Sequence, residues 1–236
     1  MANYVTLVNL LLTRLNEVTL DTAGDGFQSV RGVQSLAKAA VNNSINEIIQ
    51  KGQEWPFLKT TYTQTLTAGT REYDFPSDYE TADYESFYLK KLSLQENNPS
   101  HLPAITYEQY IKNYRSMDDL GDEGSGIAPP EYVYQTYDTK FGVTPVPNAA
   151  YEIEYTYWKF PNDLNLFNDE CIIPSRYNHT VIDGAMYYMM IFRSNEQSAA
   201  IHQQKFQDGI RQMRKTLIDE PLRVTSTVIE GKTNAG

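Results

Sequence analysis

Apolar residues recur at helical spacing near both ends of the chain and alternate with polar ones between. Val8, Leu11, Leu12, Leu15 and Val18 predict a helix over 4–18. A turn cluster, DTAGDG at 21–26, precedes a second stripe running from Val30 through Leu36, Val41 and Ile45 to Ile49. This stripe predicts a helix over 29–51, with Gly52 as its stop. From Trp55 onward the period shortens to two. The stretch TTYTQTLTAGTREYDF (60–75) reads as a hairpin turning at Ala68-Gly69-Thr70, and 85–94 reads as a third strand. Tyr107, Tyr110, Ile111 and Tyr114 interrupt with a short helix over 106–117. Residues 131–147 and 151–160 read as a second hairpin. In its last strand Tyr151, Ile153, Tyr155 and Tyr157 share one face, with Glu152, Glu154, Thr156 and Trp158 on the other. The helical period then returns over 175–193 and 195–218. Ala199, His202, Phe206, Ile210, Met213 and Leu217 mark the buried side of the second helix. Arg211, Arg214 and Lys215 fall where its dipole favours cations, and Pro221 ends it.

These elements predict an α+β fold. Residues 1–58 and 171–219 form a helical bundle, and 59–170 are an inserted antiparallel β-rich domain carrying an acidic, Gly- and Pro-rich loop near 118–130. Residues 220–236 form an extended, β-prone tail with no core of its own. No internal repeat or low-complexity tract is present.

Composition narrows the class. Of the 236 residues, 41% are hydrophobic, enough to bury a core. No apolar run approaches the roughly 20 residues of a membrane span, and MANYVTLVNLLLTRLNEV carries neither a basic leader nor a small-residue cleavage site, so no signal peptide is expected. A single cysteine excludes an internal disulfide and any multi-cysteine metal centre, which suits a reducing cytoplasm or something assembled there. The net charge of −10 is uneven: residues 61–170 hold 7 basic and 19 acidic groups, while 1–60 are balanced and 171–236 are slightly basic. That acidic middle is a poor grip for phosphate. It also holds 14 of the 18 tyrosines. Aromatics among acids point to sheet packing, a protein interface or a glycan surface more than to nucleic acid.

The richest concentration of reactive groups is DECIIPSRYNHTVIDGAMYYMM (169–190). Cys171 would be the nucleophile of a hydrolase, with His179 and His202 as partners. Its setting between Glu170 and two isoleucines raises a thiol pKa and disfavours the thiolate. Ser175, His179 and Asp183 recur every four residues, on one side of a helix, whereas triad members converge from separate elements. Ser175 is expected to cap that helix. His179 and Asp183, even with His202, make an incomplete metal set, and DDLGDE (118–123) lacks calcium-loop spacing. GxxxxGK[ST] and GxGxxG are both absent. No catalytic, cofactor or metal residue is assigned. Apolar residues on more than one side of the 175–193 helix and in the tail are instead candidate interface positions: Met186, Tyr187, Met190, Leu222, Val224, Val228 and Ile229.

The order of pieces then carries a resemblance. The helical start leads into EWPFLKTTYTQTLTAGTREYDFPSDY (54–79), and the chain returns through YWKFPNDLNLFNDECIIPSRY (157–177) into a helix containing Gly184-Ala185-Met186-Tyr187. This order resembles the head-to-tail adaptor proteins of short-tailed bacteriophages over most of the chain; the loop at 118–130 and the tail have no match. The resemblance implies a non-enzymatic virion protein assembled in the host cytoplasm. It implies a cyclic homo-oligomer, usually a dodecamer, beneath the portal protein, which extends the DNA channel and carries the tail or nozzle. Genomic DNA would pass without specific binding, and neither cofactor nor membrane is involved. Two other readings remain: a β-rich binding module of a tail component that recognises glycan or protein, and the hydrolase using Cys171, His179 and His202.

Overall fold

A computed structural model describes residues 1–20, 25–52, 54–91, 100–119, 127–137 and 139–219. The chain divides into two compact units. One comprises Met1–Pro56 with the chain from Asp163 onward, and the other is Phe57–Asn162. The fold is mixed α+β, with two principal sheets that are mainly antiparallel. The acidic loop is described only at its flanks, and the expected tail lies outside the described residues.

The first unit is helical. Helix α1 spans Tyr4–Arg14 and α2 spans Val33–Gly52. Both are shorter than their stripes predict. Leu15 ends α1 and Asn16 turns to φ 56°, while Gly32 at φ 62° holds the chain out of helix just before α2. Helix α1 starts without a side-chain cap, because Asn3 supplies none. The amide N–H groups of Tyr4 and Val5 donate instead to the carbonyls of Asp169 and Phe167. The returning chain thus satisfies the donors a helix N-terminus leaves open. Further bonds bind the same segment to this unit: Cys171 N–H to the Ala2 carbonyl, Asn42 Nδ2 to the Leu164 carbonyl and Asn46 Nδ2 to Asp163 Oδ1.

Helix α5 (Asn178–Phe192) packs against α2 and α6 (Glu196–Arg214), and α1 lies against α2 and α5. Gly184 is the point of closest approach. A Cβ there would lie 2.2 Å from Ser44 Oγ on α2 and 2.6 Å from the Phe206 ring on α6. Ser44 Oγ donates to the Val181 carbonyl at 2.8 Å, so the buried hydroxyl is satisfied. Gly52 is not a left-handed stop. It is the last residue of α2, and the Trp55 indole lies where its Cβ would be, at 1.9 Å. Trp55 is fully buried and donates from Nε1 to the Ile48 carbonyl.

The second unit is two sheets sharing one core. Strand β1 is Lys59–Leu66, β2 Glu72–Asp74, β3 Tyr79–Lys91, β4 Ser100–His101 and β5 Ala104–Ile105. Helix α3 (Tyr107–Asn113) carries a capping box between Thr106 and Gln109. The short α4 (Arg115–Asp118) follows it, so the single expected helix is broken at Tyr114. Strands β6 to β10 are Ile127–Ala128, Tyr132–Gln135, Lys140–Thr144, Val146–Pro147 and Tyr151–Lys159. One sheet has the order β1-β10-β3-β4 and the other β2-β8-β7-β5.

Both expected hairpins are therefore wrong. β1 and β2 are joined by the turn at 67–70, yet β1 pairs with β10 and β2 with β8. The turn is real: the Tyr73 hydroxyl bonds the Thr67 amide and carbonyl and the Thr70 carbonyl. It delivers the two strands to opposite sheets. The second hairpin is β7 with β8, while β10 lies between β1 and β3. The expected alternation on β10 holds: Tyr151, Ile153, Tyr155 and Tyr157 are buried, and they meet Phe75, Phe87, Phe141 and Val143 in the core between the sheets. Burying that row needs a strand on each side, which a terminal hairpin cannot supply. The pairings β5–β7 and β6–β9 are parallel, a departure from the all-antiparallel expectation at the ends of the sheets.

Candidate functional site

The reactive side chains of the 169–190 stretch do not converge. Cys171 is buried, and burial pushes its thiol pKa up. Ser175 and His179 are exposed. Ser175 caps nothing: it opens a 3-10 turn, Ser175–Tyr177, and the N-terminal residue flanking α5 is Tyr177. The proline before it fixes that turn geometry without a side-chain acceptor. Asp183 turns toward the bundle and receives Arg14 Nη1 at 2.8 Å, with His202 Nδ1 at 3.5 Å. Its charge ties α5 to α1, whereas His202 Nδ1 on α6 makes no hydrogen bond. Among the described residues, no group of three or more His, Cys, Asp or Glu could hold a metal ion. His101 hydrogen-bonds the Glu85 carbonyl through Nε2 at 2.9 Å.

Packing consumes most of the tyrosines. Tyr155 stacks on Phe87 at 4.7 Å and meets Phe141 edge-on at 5.4 Å. Tyr134 stacks on Tyr110 at 4.0 Å, over Gly142, where a Cβ would meet its ring at 2.1 Å. Arg71 Nη1 donates to the Tyr110 hydroxyl and to Asp119 Oδ1. Tyr188, bound to Glu47 at 2.7 Å, is pushed up to about 12, by burial first and by the carboxylate second. Tyr62, Tyr88 and Tyr137 stay exposed, and Tyr137, at 86%, borders a recess of about 520 Å³ lined also by Tyr84, Ile105, Tyr107 and Gln135.

Asp118 is the one buried carboxylate of this unit among the described residues. Burial raises its pKa, and Thr144, Tyr110 and Arg71 pull it part of the way back. An acid whose folded-state pKa is raised favours the fold most when protonated. Stability is therefore lost as pH rises from the ordinary carboxylate value through the folded-state value. Asp118→Asn is expected to lack this loss. Thermal melts of the two proteins from about pH 3 to about pH 7 should show wild type falling behind the variant as pH rises. A constant gap across that range would contradict it.

The helical unit also leaves apolar surface bare. Ile191 is 51% exposed, Phe192 57% and Ile201 55%. Ile191 borders an open cavity of about 340 Å³ with Tyr187, Ala199, Ala200 and Gln203. Of the candidate interface residues, Tyr187 and Met190 are half-buried and Met186 is buried within the protomer. Leu222, Val224, Val228 and Ile229 lie outside the described residues. Ile191, Phe192 and Ile201 are absent from the sequence-derived candidates. The available signal was their position beyond the core stripes, at the α5–α6 junction where the helices end.

Residues 2–225 match the family model described as SU10 adaptor protein, a span that takes in both compact units. No curated protein matches the chain.

Proposed function

The chain belongs to the SU10 adaptor protein family, a family of phage head-to-tail adaptors, and on that premise we propose that it forms a ring beneath the portal and carries the tail. The observation that carries the reading is the breadth of the match, which runs through the helical unit and the β-rich unit alike. Adaptors join a portal on one side and a tail on the other, so each copy needs contact surfaces in place of an active site. The bare apolar residues at the α5–α6 junction suit contact between copies, and the helical unit acts as the bundle from which the ring is built. The tyrosine-lined recess suits contact with a tail component.

A ring of identical subunits closes by cyclic symmetry, and we take twelve copies as its size. Genomic DNA passes through the lumen. The excess of carboxylates in residues 61–170 keeps phosphate from being held there by counterion release. The protein reaches the virion after assembly in the host cytoplasm. No step of this role requires chemistry from Cys171, His179 or His202.

Mixing the purified protein with the portal protein of the same phage is expected to give twelvefold ring density below the portal in electron micrographs. Portals that stay bare at saturating protein would overturn the proposal.

A further inference from the structure

The sheet containing β10 ends at β1, the longest edge strand among the described residues. β1 is eight residues long and pairs with β10 from Lys59↔Trp158 to Leu66↔Tyr151 without a register shift. Among the described residues its other side has no partner strand. Half of its N–H and C=O groups therefore face outward. The remaining edge strands among the described residues are β2, with three residues, and β4, β5, β6 and β9, with two each; β3 is paired on its outer side only at Tyr88 and Leu89. Edges are normally blunted by proline, by bulges or by charges along the strand. β1 has none of these beyond Lys59 at its start.

The side chains of β1 also stop short of closing the sheet. Thr61, Thr63 and Thr65 form an exposed outer row. On the inner side Tyr62 edges the Tyr155 and Tyr157 rings at 5.9 and 6.4 Å, and it remains 41% exposed. The aromatic layer between the sheets thus ends on a bare tyrosine.

A β-prone stretch of sequence lies outside the described residues. Residues 222–230 read LRVTSTVIE. In extended form Leu222, Val224, Ser226 and Val228 share one face, and Arg223, Thr225, Thr227 and Ile229 share the other. Laid along β1, the apolar row would cover Tyr62, and the threonine row would continue the threonines of β1 as cross-strand pairs. From Asp219 to Leu222 the extended chain spans about 10 Å, so the acceptor β1 must lie close to the end of the donor's last helix.

We propose that residues 222–230 of a neighbouring copy add to the free edge of β1 as a further strand of that sheet. The inference rests on the ring reading. Closing a ring of one chain type requires a heterologous contact, in which one patch on each copy meets a different patch on the next, and a donor arm with an acceptor edge is such a pair.

The test uses phage particles carrying paired cysteines, one at Thr61, Thr63 or Thr65 and one at Thr225 or Thr227. Cys171 is buried and stays unchanged. After mild oxidation, at least one pairing is expected to give a ladder of disulfide-linked multimers on non-reducing gels, and either cysteine alone should not. Monomers from particles with intact rings, or bonds formed within single chains, overturn the proposal. Should the paired variants fail to assemble, electron cryo-microscopy of unmodified particles decides. A strand beside β1 that traces to the adjacent copy supports the proposal, and a bare edge or a strand from another virion protein overturns it. Particles with no ring at all remove the ring reading itself.

Discussion

Replacing Gly184 with valine is expected to destabilise the helical unit by about 3 kcal/mol or more, at the upper end of what overpacking costs. Two partners are displaced at once. A Cβ at 184 meets Ser44 Oγ on α2 at 2.2 Å and the edge of the Phe206 ring on α6 at 2.6 Å. Moving Ser44 aside breaks its bond to the Val181 carbonyl and leaves a buried hydroxyl unpaired, and moving Phe206 opens the α5–α6 contact. Alanine at 184 would gain roughly 0.5–1 kcal/mol of helix propensity but meets the same two atoms, so the clash wins. The check is the loss of far-ultraviolet helical signal on heating. At roughly 2–4 °C per kcal/mol, the transition of Gly184→Val should move down by about 6–12 °C. A midpoint within a degree of wild type would show that α2 and α6 accommodate the side chain.

Trp55→Ala is expected to cost a similar amount, roughly 3–5 kcal/mol, from the opposite cause. The indole is fully buried over Gly52, and its Nε1 donates to the Ile48 carbonyl in the last turn of α2. Truncation leaves a cavity, removes that hydrogen bond and uncovers the end of α2. Trp55→Phe restores most of the volume but not the donor, so it should recover much of the loss. Urea unfolding followed by circular dichroism would order the three proteins as wild type, phenylalanine, alanine. Equal midpoints for phenylalanine and alanine would place the whole effect on the hydrogen bond and exclude packing.

The two predictions rest on Gly184 and Gly52, and of these the role of Gly52 was not legible in the sequence. Gly52 sits at the end of an apolar stripe, where a left-handed stop is the ordinary expectation, yet its purpose is to make room for an aromatic three residues on. Helices were legible because their stripes are one-dimensional: the residues of α6 that face inward are those the 3.6 period selects. Strand faces were legible for the same reason, as β10 shows. Strand partners were not. Alternation says which side of Tyr155 is buried, but not that β1 and β3 flank it, because pairing is decided by residues some 70 to 90 positions away. A sound turn at 67–70 made β1 and β2 look like partners, and no local feature records that they diverge. Ser175 follows the same logic. Serine before a helix suggests a cap, but the 3-10 turn after Pro174 moves the helix start beyond its reach. The exposed junction at Ile191 and Phe192 needed the fold.

The bond between the first turn of α1 and the chain at Phe167 and Asp169 also dictates an order of events on the ribosome. The β-rich unit is continuous in sequence and has all its strands once residue 162 has emerged. Helix α1 is made first and completed last. Its amide donors wait for residues 167 and 169, and its apolar side waits for α5. At translation speeds of about 5–20 residues per second, the 57 residues from 163 to 219 take roughly 3–11 seconds. For that interval the faces of α1 and α2 that meet α5 and α6 have no partner, so nascent chains of this protein are expected to be clients for holding chaperones at their amino-terminal end.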